Sequence, residues 1–250
     1  MKNKKILLCQ LLLLIVFISL WEFLSDKNII NSFIFSSPSR IIKCLINLYK
    51  NGNLLTHIHT TLNEIFISFS LGIIIAFVAS IIFYEIKIIY HILDPFLTIF
   101  NSTPKVAIGP LIIILFGAGS KSIIIMALSI TLILNIISIY NGFLNTDKYL
   151  EKLLDSLKAS GYKKLKYLVI PSAYKTIITS LKINISMTLI GVIMGEFLVS
   201  KAGIGYLIIY GTQVFNLTLV MSGIIVLMFI SYILYLFISL IENKLNRGSH

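Results

Sequence analysis

Long runs of residues without a charge limit what this chain can fold into. The clearest run, residues 122–144, holds 23 uncharged residues, and another begins at Ile6, directly after three lysines. A membrane-spanning helix needs about 20 predominantly apolar residues. Only 12% of the residues are charged and the mean hydropathy is +0.95, whereas soluble proteins carry about 25% charged residues. The sequence therefore predicts an all-α integral membrane protein.

Six spans are predicted, with both termini in the cytoplasm. The spans are residues 6–21, 60–83, an interrupted third span within 84–119, 122–144, 174–199 and 217–241. In this order, 13 of the 21 lysines and arginines fall on the cytoplasmic side and six on the outer side. Cytoplasmic loops are enriched in positive residues, so this bias supports the orientation. The first run could also be a secretory signal, but bulky residues 21–24 offer no cleavage site, which favours a retained span.

Prolines interrupt the third predicted span. They stand in Asp94-Pro95, Thr103-Pro104-Lys105 and Gly109-Pro110. Lipid tolerates a broken helix only where protein or water covers its free backbone groups. A lysine inside a span is also costly, by about 2.5–3.5 kcal/mol on insertion scales. Two roles stay open for Lys105: it lines a pathway and attracts an anion, or it pairs with Asp94 or Glu196.

The fifth predicted span also carries ionisable residues. Glu196 lies near its outer end and is interpreted as a hydrogen-bonding or gating residue. Lys182 lies near the inner end, where its side chain can reach the lipid headgroups. Five glycines are candidates for close helix approach, with general packing the simpler interpretation for most of them: Gly72, Gly191, Gly195, Gly203 and Gly205.

Residues 145–173, here called the charged segment, hold nine of the 31 charged residues of the chain. Four leucines recur at helical spacing: Leu150, Leu153, Leu154 and Leu157. Four charged residues recur at the same spacing on another face: Lys148, Glu151, Lys152 and Asp155. The pattern predicts a short amphipathic helix at about residues 148–161, then a lysine-rich turn and Pro171. Two interpretations stay open: the helix binds a soluble partner, or it is an ordinary cytoplasmic loop whose charges only fix the orientation of the spans.

Other functional classes find little support. The net charge of +11 is compatible with nucleic-acid binding. The basic residues lie between the spans, however, where the enrichment of positive residues in cytoplasmic loops explains them better. Cys9 and Cys44 are far apart and predict neither a disulfide nor a metal site. An integral-membrane enzyme would need acidic residues or histidines at one membrane depth, and these residues are widely scattered. The sequence predicts no catalytic, cofactor-binding or metal-binding residue.

Three groups of short segments carry a resemblance to a known family. They are Leu93-Asp94-Pro95 with residues 103–107 and 110–117; Leu157, Ala159 and Ser160 with Val169-Ile170-Pro171; and Gly195-Glu196-Phe197 with Ala202-Gly203-Ile204-Gly205. In this order and spacing, residues 60–245 resemble the permease subunit of a binding-protein-dependent ATP-binding-cassette (ABC) importer. The resemblance is nearest to the branch that takes up nitrate, sulfonates, taurine or thiamine precursors.

The resemblance implies roles for particular residues. The charged segment would be the coupling helix that docks on an ATPase subunit, through or near Glu151, Leu153, Leu154, Leu157, Lys158, Ala159, Ser160, Gly161 and Pro171. The translocation pathway would involve Pro104, Lys105, Pro110, Glu196, Gly203 and Gly205. This chain departs from the family pattern at three positions. Lys152, Leu154 and Lys158 stand where the family usually has glutamate, alanine and glycine.

The resemblance also implies the organisation of the whole protein. Residues 1–59 would be a first transmembrane helix plus an outer amphipathic segment, residues 60–247 the importer domain, and residues 248–250 a tag remnant. The partners would be two ABC ATPase subunits that bind ATP and Mg, a second copy of the permease in a homodimer, an extracytoplasmic binding protein and membrane lipid. The alternatives are the transmembrane component of an energy-coupling-factor vitamin transporter and a self-sufficient secondary transporter. The latter predicts an internal repeat, which the sequence lacks.

Overall fold

The computed structural model describes residues 2–27 and 29–247, and it confirms the prediction of an all-helical membrane protein. In chain order the helices are α1 (Lys2–Asp26), α2 (Ser32–Phe35), α3 (Pro38–Lys50), α4 (Asn53–Glu85), α5 (Lys87–Ser102), a 3₁₀ turn (Lys105–Ile108), α6 (Gly109–Phe116), α7 (Ser120–Leu144), α8 (Lys148–Ser156), α9 (Gly161–Lys164), a π turn (Leu165–Val169), α10 (Ile170–Val199), α11 (Ile204–Gln213) and α12 (Leu217–Arg247). The predicted tag remnant lies outside the described residues.

Five helical stretches of the described chain are long and apolar enough to cross a membrane. They are Ile6–Asp26, Asn53–Glu85, Ser120–Leu144, Gly161–Val199 and Leu217–Lys244. A sixth span results if Lys87–Ser102 and Lys105–Phe116, which are bent by 90° relative to each other, count as one. The second span begins seven residues before its predicted start. The segment between the fifth and sixth predicted spans contains the ten-residue helix α11.

The helix break in the third predicted span lies at Pro104 alone. Helix α5 runs through Pro95 without interruption, so the prediction of a break at Asp94-Pro95 is wrong. A proline removes one backbone hydrogen bond, and a membrane helix tolerates that loss where its other bonds are kept. Thr103 is extended and ends α5, as expected for a residue directly before a proline. Pro110 lies in the first turn of α6. A backbone N–H at this position has no acceptor within the helix, so a proline here costs no hydrogen bond.

The lysine-rich turn predicted before Pro171 is also wrong, because these residues are helical. Helix α9, the π turn and α10 form one stretch from Gly161 to Val199, although the fifth span was predicted to begin at residue 174. In the π turn, the Ile170 N–H bonds to the Leu165 carbonyl, five residues earlier. Prolines and π turns are both recognised causes of a bend in a helix.

The chain divides into two compact units, and the first contains residues up to Thr60 together with Ala202–Phe229. Here α3 begins with Ser37 as N-cap and Pro38 in the first turn. The Ser39 N–H donates to the Glu22 carboxylate at 2.9 Å, and the Ser25 hydroxyl donates to the Ser36 carbonyl at 2.9 Å. These bonds fix the start of α3 to the end of α1.

The second unit contains Thr61–Lys201 and the chain from Ile230 onward, and its core is the packing of α4, α7 and α10. Apolar side chains from these helices form two buried clusters, one around Phe143 and one around Ala127. The closest approach is between α7 and α10. A Cβ placed on Gly191 would lie 2.6 Å from the Ala127 Cα, and one on Gly195 would lie 3.0 Å from the Ile123 Cα. Glycines four residues apart therefore bring two backbones into contact.

We expect Gly191→Ala to destabilise the second unit by about 1–3 kcal/mol, because the added methyl group would overlap the α7 backbone. Gly72→Ala is the matched control, since its Cβ would meet only side-chain atoms of α7 at 3.5 Å or more. Thermal unfolding of the two purified variants in detergent measures the difference. Equal unfolding midpoints for both variants would show that the α7–α10 contact can relax.

Candidate functional site

Helix α8 is the amphipathic helix of the charged segment, and it is shorter than predicted. It runs from Lys148 to Ser156, and the Asp147 carboxylate caps its start by accepting a hydrogen bond from the Tyr149 N–H at 2.8 Å. The sequence predicted that this helix reaches residue 161. The chain instead leaves the helix at Leu157 and begins α9 at Gly161.

Helix α8 ends because Lys158 adopts a left-handed backbone conformation, with φ of 55°. The Lys158 N–H donates to the Asp155 carbonyl and the Ala159 N–H donates to the Leu154 carbonyl, both at 2.9 Å. This pair of bonds is the Schellman motif, whose left-handed position is usually glycine. Lys158 is the position where the family pattern has glycine. The chain therefore ends α8 with the same left-handed conformation, but with a residue less suited to it than glycine.

Large apolar side chains on α8 and just beyond it are exposed. Tyr149 is 77% exposed, Leu153 49% and Leu157 69%. Leu154 is half-buried, and Ala159 lies partly covered in the stop itself. Two more tyrosines, Tyr162 and Tyr167, are exposed on the following helical stretch, with the Lys166 ammonium within 6 Å of both rings. The charged segment thus presents an apolar surface among lysines.

The charged segment is attached to the end of α4. The Tyr84 hydroxyl on α4 donates to the Glu151 carboxylate on α8. A Cβ on Gly161 would lie 3.1 Å from a carboxylate oxygen of Glu85, the last residue of α4. Lys164 and Asp155 form an ion pair that ties α9 back to α8. Ser160 is the N-cap residue of α9 and Pro171 lies in the first turn of α10, so both shape the backbone that leads into the span.

Lys105 does not pair with Asp94 or Glu196, so this sequence-based alternative is wrong. Its ammonium donates to the Asn101 carbonyl at 2.7 Å, one of the carbonyls that the end of α5 leaves free of intrahelical bonds. Lys105 therefore closes the helix end at the 90° bend. Pro104 and Pro110 on either side of it are exposed.

Lys182, interpreted from the sequence as reaching the lipid headgroups, has a protein partner in the structure. Its ammonium forms an ion pair with Glu242 on α12 and lies 5.8 Å from the centre of the Tyr235 ring. The two charged side chains are each about one-quarter exposed. The pair links α10 to α12 within the second unit.

Glu196 lies inside the second unit, where it is 1% exposed. Thr61 on α4 donates a hydrogen bond to its Oε1 atom at 2.6 Å. The preceding residue, Gly195, is one of the two glycines that contact α7. Glu196 is therefore a buried hydrogen-bonding residue, in line with one part of its predicted role.

Gly203 and Gly205 lie in the first unit at the start of α11. Gly203 is its N-cap residue and has φ of 117°, a conformation that favours glycine. Its N–H donates to Nδ1 of His57 at 3.0 Å, and the His57 ring stacks on Tyr206 at 5.8 Å between centroids. No local pattern indicates this role of His57, because the two partners are 146 residues apart.

We expect Lys158→Gly to stabilise α8 by about 1 kcal/mol, because it removes a Cβ from the left-handed position. Lys152→Gly, inside the same helix, should have the opposite effect of about the same size. Hydrogen exchange of the α8 amides in the purified chain measures both, with slower exchange for the first variant and faster for the second. Faster exchange in both variants would mean that the stop at Lys158 is not under strain.

Comparisons with known proteins identify the family. Residues 68–247 match the binding-protein-dependent transport system inner membrane component family. A probable ABC transporter permease protein of Haemophilus influenzae is 28% identical over 92% of this chain and 93% of its own. A putative aliphatic sulfonates transport permease protein of Bacillus subtilis is 24% identical over 94% of this chain and 85% of its own.

The fold is also similar to that of a solved transporter. A chain of the inward-facing MetNI methionine ABC transporter matches with a TM-score of 0.68, covering 78% of this chain and 97% of that one, at 16% sequence identity. None of these matches favours an energy-coupling-factor component or a secondary transporter. The chain belongs to the binding-protein-dependent ABC importer permeases, multi-pass proteins of the bacterial plasma membrane.

Proposed function

We propose that two copies of this chain form the translocation pathway of an ATP-driven importer for a small solute. Each copy binds one ABC ATPase subunit through its charged segment, and an extracytoplasmic binding protein delivers the solute. The ATPase subunits bind ATP and Mg and carry out hydrolysis, so this chain catalyses no reaction. Family membership supports the outline, and the surface of the charged segment supports the assignment of the ATPase contact.

The exposed apolar surface of α8 carries this proposal. A helix between two spans that has leucines at 49% and 69% exposure leaves them in water unless a partner covers them. Burying one such side chain contributes about 1.5–3 kcal/mol. Leu153 and Leu157 are four residues apart, so a groove in the partner can receive both from the same side.

The same contacts offer a route from ATP binding to solute movement. Closure of the two ATPase subunits moves the bound α8 helices toward each other. Glu151 pulls on Tyr84 and hence on the end of α4, while the continuous stretch from Gly161 passes the motion to α10. Alternating tilts of α4 and α10 then open the pathway to one side and close it to the other.

The proposed pathway residues are those of the bend and of the glycine turn, together with Glu196, the buried hydrogen-bonding residue of α10. Pro104, Lys105 and Pro110 surround the bend after α5, and Gly203 and Gly205 form the turn before α11. Because Lys105 already bonds to a main-chain carbonyl, it has a structural role for any solute. The proposed solute is a sulfonate, taurine, nitrate or a thiamine-precursor pyrimidine. Permeases similar to this chain are named for the transport of aliphatic sulfonates, taurine and formylaminopyrimidine.

Purification from the native membrane tests the ATPase contact. The wild-type chain, tagged and extracted in mild detergent, should carry a stoichiometric ABC ATPase that mass spectrometry identifies. The double variant Leu153→Asp, Leu157→Asp should lose it, because losing each anchor costs about 2 kcal/mol or more and the charges resist burial.

Ile42→Asp on α3 is the matched control, since Ile42 is 57% exposed on another amphipathic helix. This control should retain the ATPase, and all forms should reach the membrane in equal amounts. A wild-type chain that emerges alone, or a double variant that keeps its ATPase, would contradict the proposed contact.

We expect Tyr84→Phe to weaken the link between α8 and α4 without releasing the ATPase. A hydrogen bond to a charged group contributes about 1.5–3 kcal/mol, and the variant removes only the hydroxyl. In the purified complex, a non-hydrolysable ATP analogue should change hydrogen exchange at the end of α4 in the wild type but far less in the variant.

Tyr167→Phe controls for loss of a tyrosine hydroxyl, because Tyr167 is exposed on the same segment. It should respond to the analogue as the wild type does. An undiminished response in Tyr84→Phe would mean that motion reaches α4 by another contact.

A further inference from the structure

Two carboxyl groups lie deep inside the second unit. Glu64 on α4 is 2% exposed and Glu196 on α10 is 1% exposed. Every other acidic side chain in the described part of the chain is at least partly exposed. Buried acids in a membrane protein are costly unless a partner neutralises them, so these two positions need a physical account.

The two carboxyl groups face each other. Thr61 donates a 2.6 Å hydrogen bond to Oε1 of Glu196, and Thr61 and Glu64 are three residues apart on the same face of α4. The Glu64 carboxyl group lies beside Glu196 and beside Ser120 at the start of α7. Three helices therefore enclose the pair.

Neither oxygen of Glu64 has a hydrogen-bonding partner with normal geometry among the residues described. A carboxylate that is almost fully buried should accept hydrogen bonds at both oxygens. Here the side chain next to it is another acid. A positive charge beside Glu64 would compensate its carboxyl group, whereas Glu196 already accepts a hydrogen bond from Thr61.

No lysine, arginine or histidine forms an ion pair with Glu64 among the residues that the structure describes. Ser120 is neutral, and Lys121 beside it on α7 has an exposed side chain. The side chains that α12 contributes to this core, Ile238 and Leu234, are apolar. On α4 the nearest titratable residue is His59, five positions earlier and on a different face of the helix.

The small number of oxygen ligands favours a proton over a metal ion. Hard cations take six or more oxygen ligands, whereas this site offers the two carboxyl groups and the hydroxyls of Thr61 and Ser120. The described residues contain no cluster of three or more histidines, cysteines or acids that could hold a metal. Ile65, next to Glu64 in the chain, and Ile123, which contacts Gly195, belong to one buried apolar cluster.

We propose that Glu64 is a protonated carboxylic acid that donates a hydrogen bond to the Glu196 carboxylate, so that the pair binds one proton between α4 and α10. Two adjacent carboxylates in a water-poor interior cannot both stay ionised. The shared proton therefore holds the two helices together at this level. Its loss would set two negative charges against each other and separate α4 from α10. The inference does not depend on the solute or on the ATPase contact.

Infrared spectroscopy of the purified chain in detergent tests the proposal. At pH 7, where exposed glutamates are ionised, the wild type should show the carbonyl stretch of a protonated carboxylic acid. Glu64→Gln should remove this band while keeping the unfolding midpoint, because the amide can donate to Glu196 as the acid does. Glu85→Gln, at an exposed position, should leave the band unchanged.

A second variant keeps the test decisive if Glu64→Gln fails to fold. Glu196→Gln leaves the Glu64 carboxyl group with a changed acceptor, so the band should persist at a shifted frequency. A folded wild type without the band, or a band that neither variant alters, would overturn the proposal. A sodium- or potassium-dependent rise in the unfolding midpoint that Glu64→Gln abolishes would also overturn it and assign the site to an alkali cation.

Discussion

The second unit depends on the backbone contact between α7 and α10. Lipid provides no hydrophobic force that drives helices together, so they associate through close van der Waals packing and interhelical hydrogen bonds. Gly191 and Gly195 supply that packing by letting α10 meet the backbone of α7 at Ala127 and Ile123. Because Glu196 directly follows Gly195, the same contact places its carboxyl group against α4. The buried hydrogen bond between Thr61 and Glu196 thus depends on glycine, which has no side chain, at positions 191 and 195.

The charged segment combines firm attachment with an unpartnered apolar surface. Its helix is capped at both ends, by Asp147 and by the Schellman bonds around Lys158, and Tyr84 holds its inner face. Leu153 and Leu157 meanwhile remain exposed. A surface that is rigid before binding loses little conformational entropy when a partner covers it. This combination suits a contact that must transmit force.

Local sequence patterns predict the spans and the amphipathic helix. The features that they do not predict depend on contacts between distant parts of the chain. Uncharged runs located the spans, and leucine spacing located α8. The sequence could not distinguish Pro95, which α5 tolerates, from Pro104, which ends it, because both are prolines in similar apolar surroundings. The end of α8 was placed too late because lysine gives no signal for a left-handed residue.

The missed interactions join residues that are far apart in the chain. Lys182 and Glu242 are separated by 60 residues, Tyr84 and Glu151 by 67, and Thr61 and Glu196 by 135. Their pairing depends on which helix faces meet, and no local pattern encodes that. Residue type alone indicated that Glu196 needs a partner, but its partner is identifiable only once α4 and α10 are packed.

The π turn before Pro171 has a consequence for orientation. Its hydrogen bonds span five residues where an α-helix spans four, so it accommodates one additional residue. Each residue turns a helix by about 100°, and the additional residue therefore rotates everything before it relative to α10. The direction in which Tyr162 and the charged segment face is thus set by the register of the chain at Leu165–Val169. Deleting one residue from Leu165–Val169 would rotate the charged segment to face another direction, although every residue of the segment would still be present in the sequence.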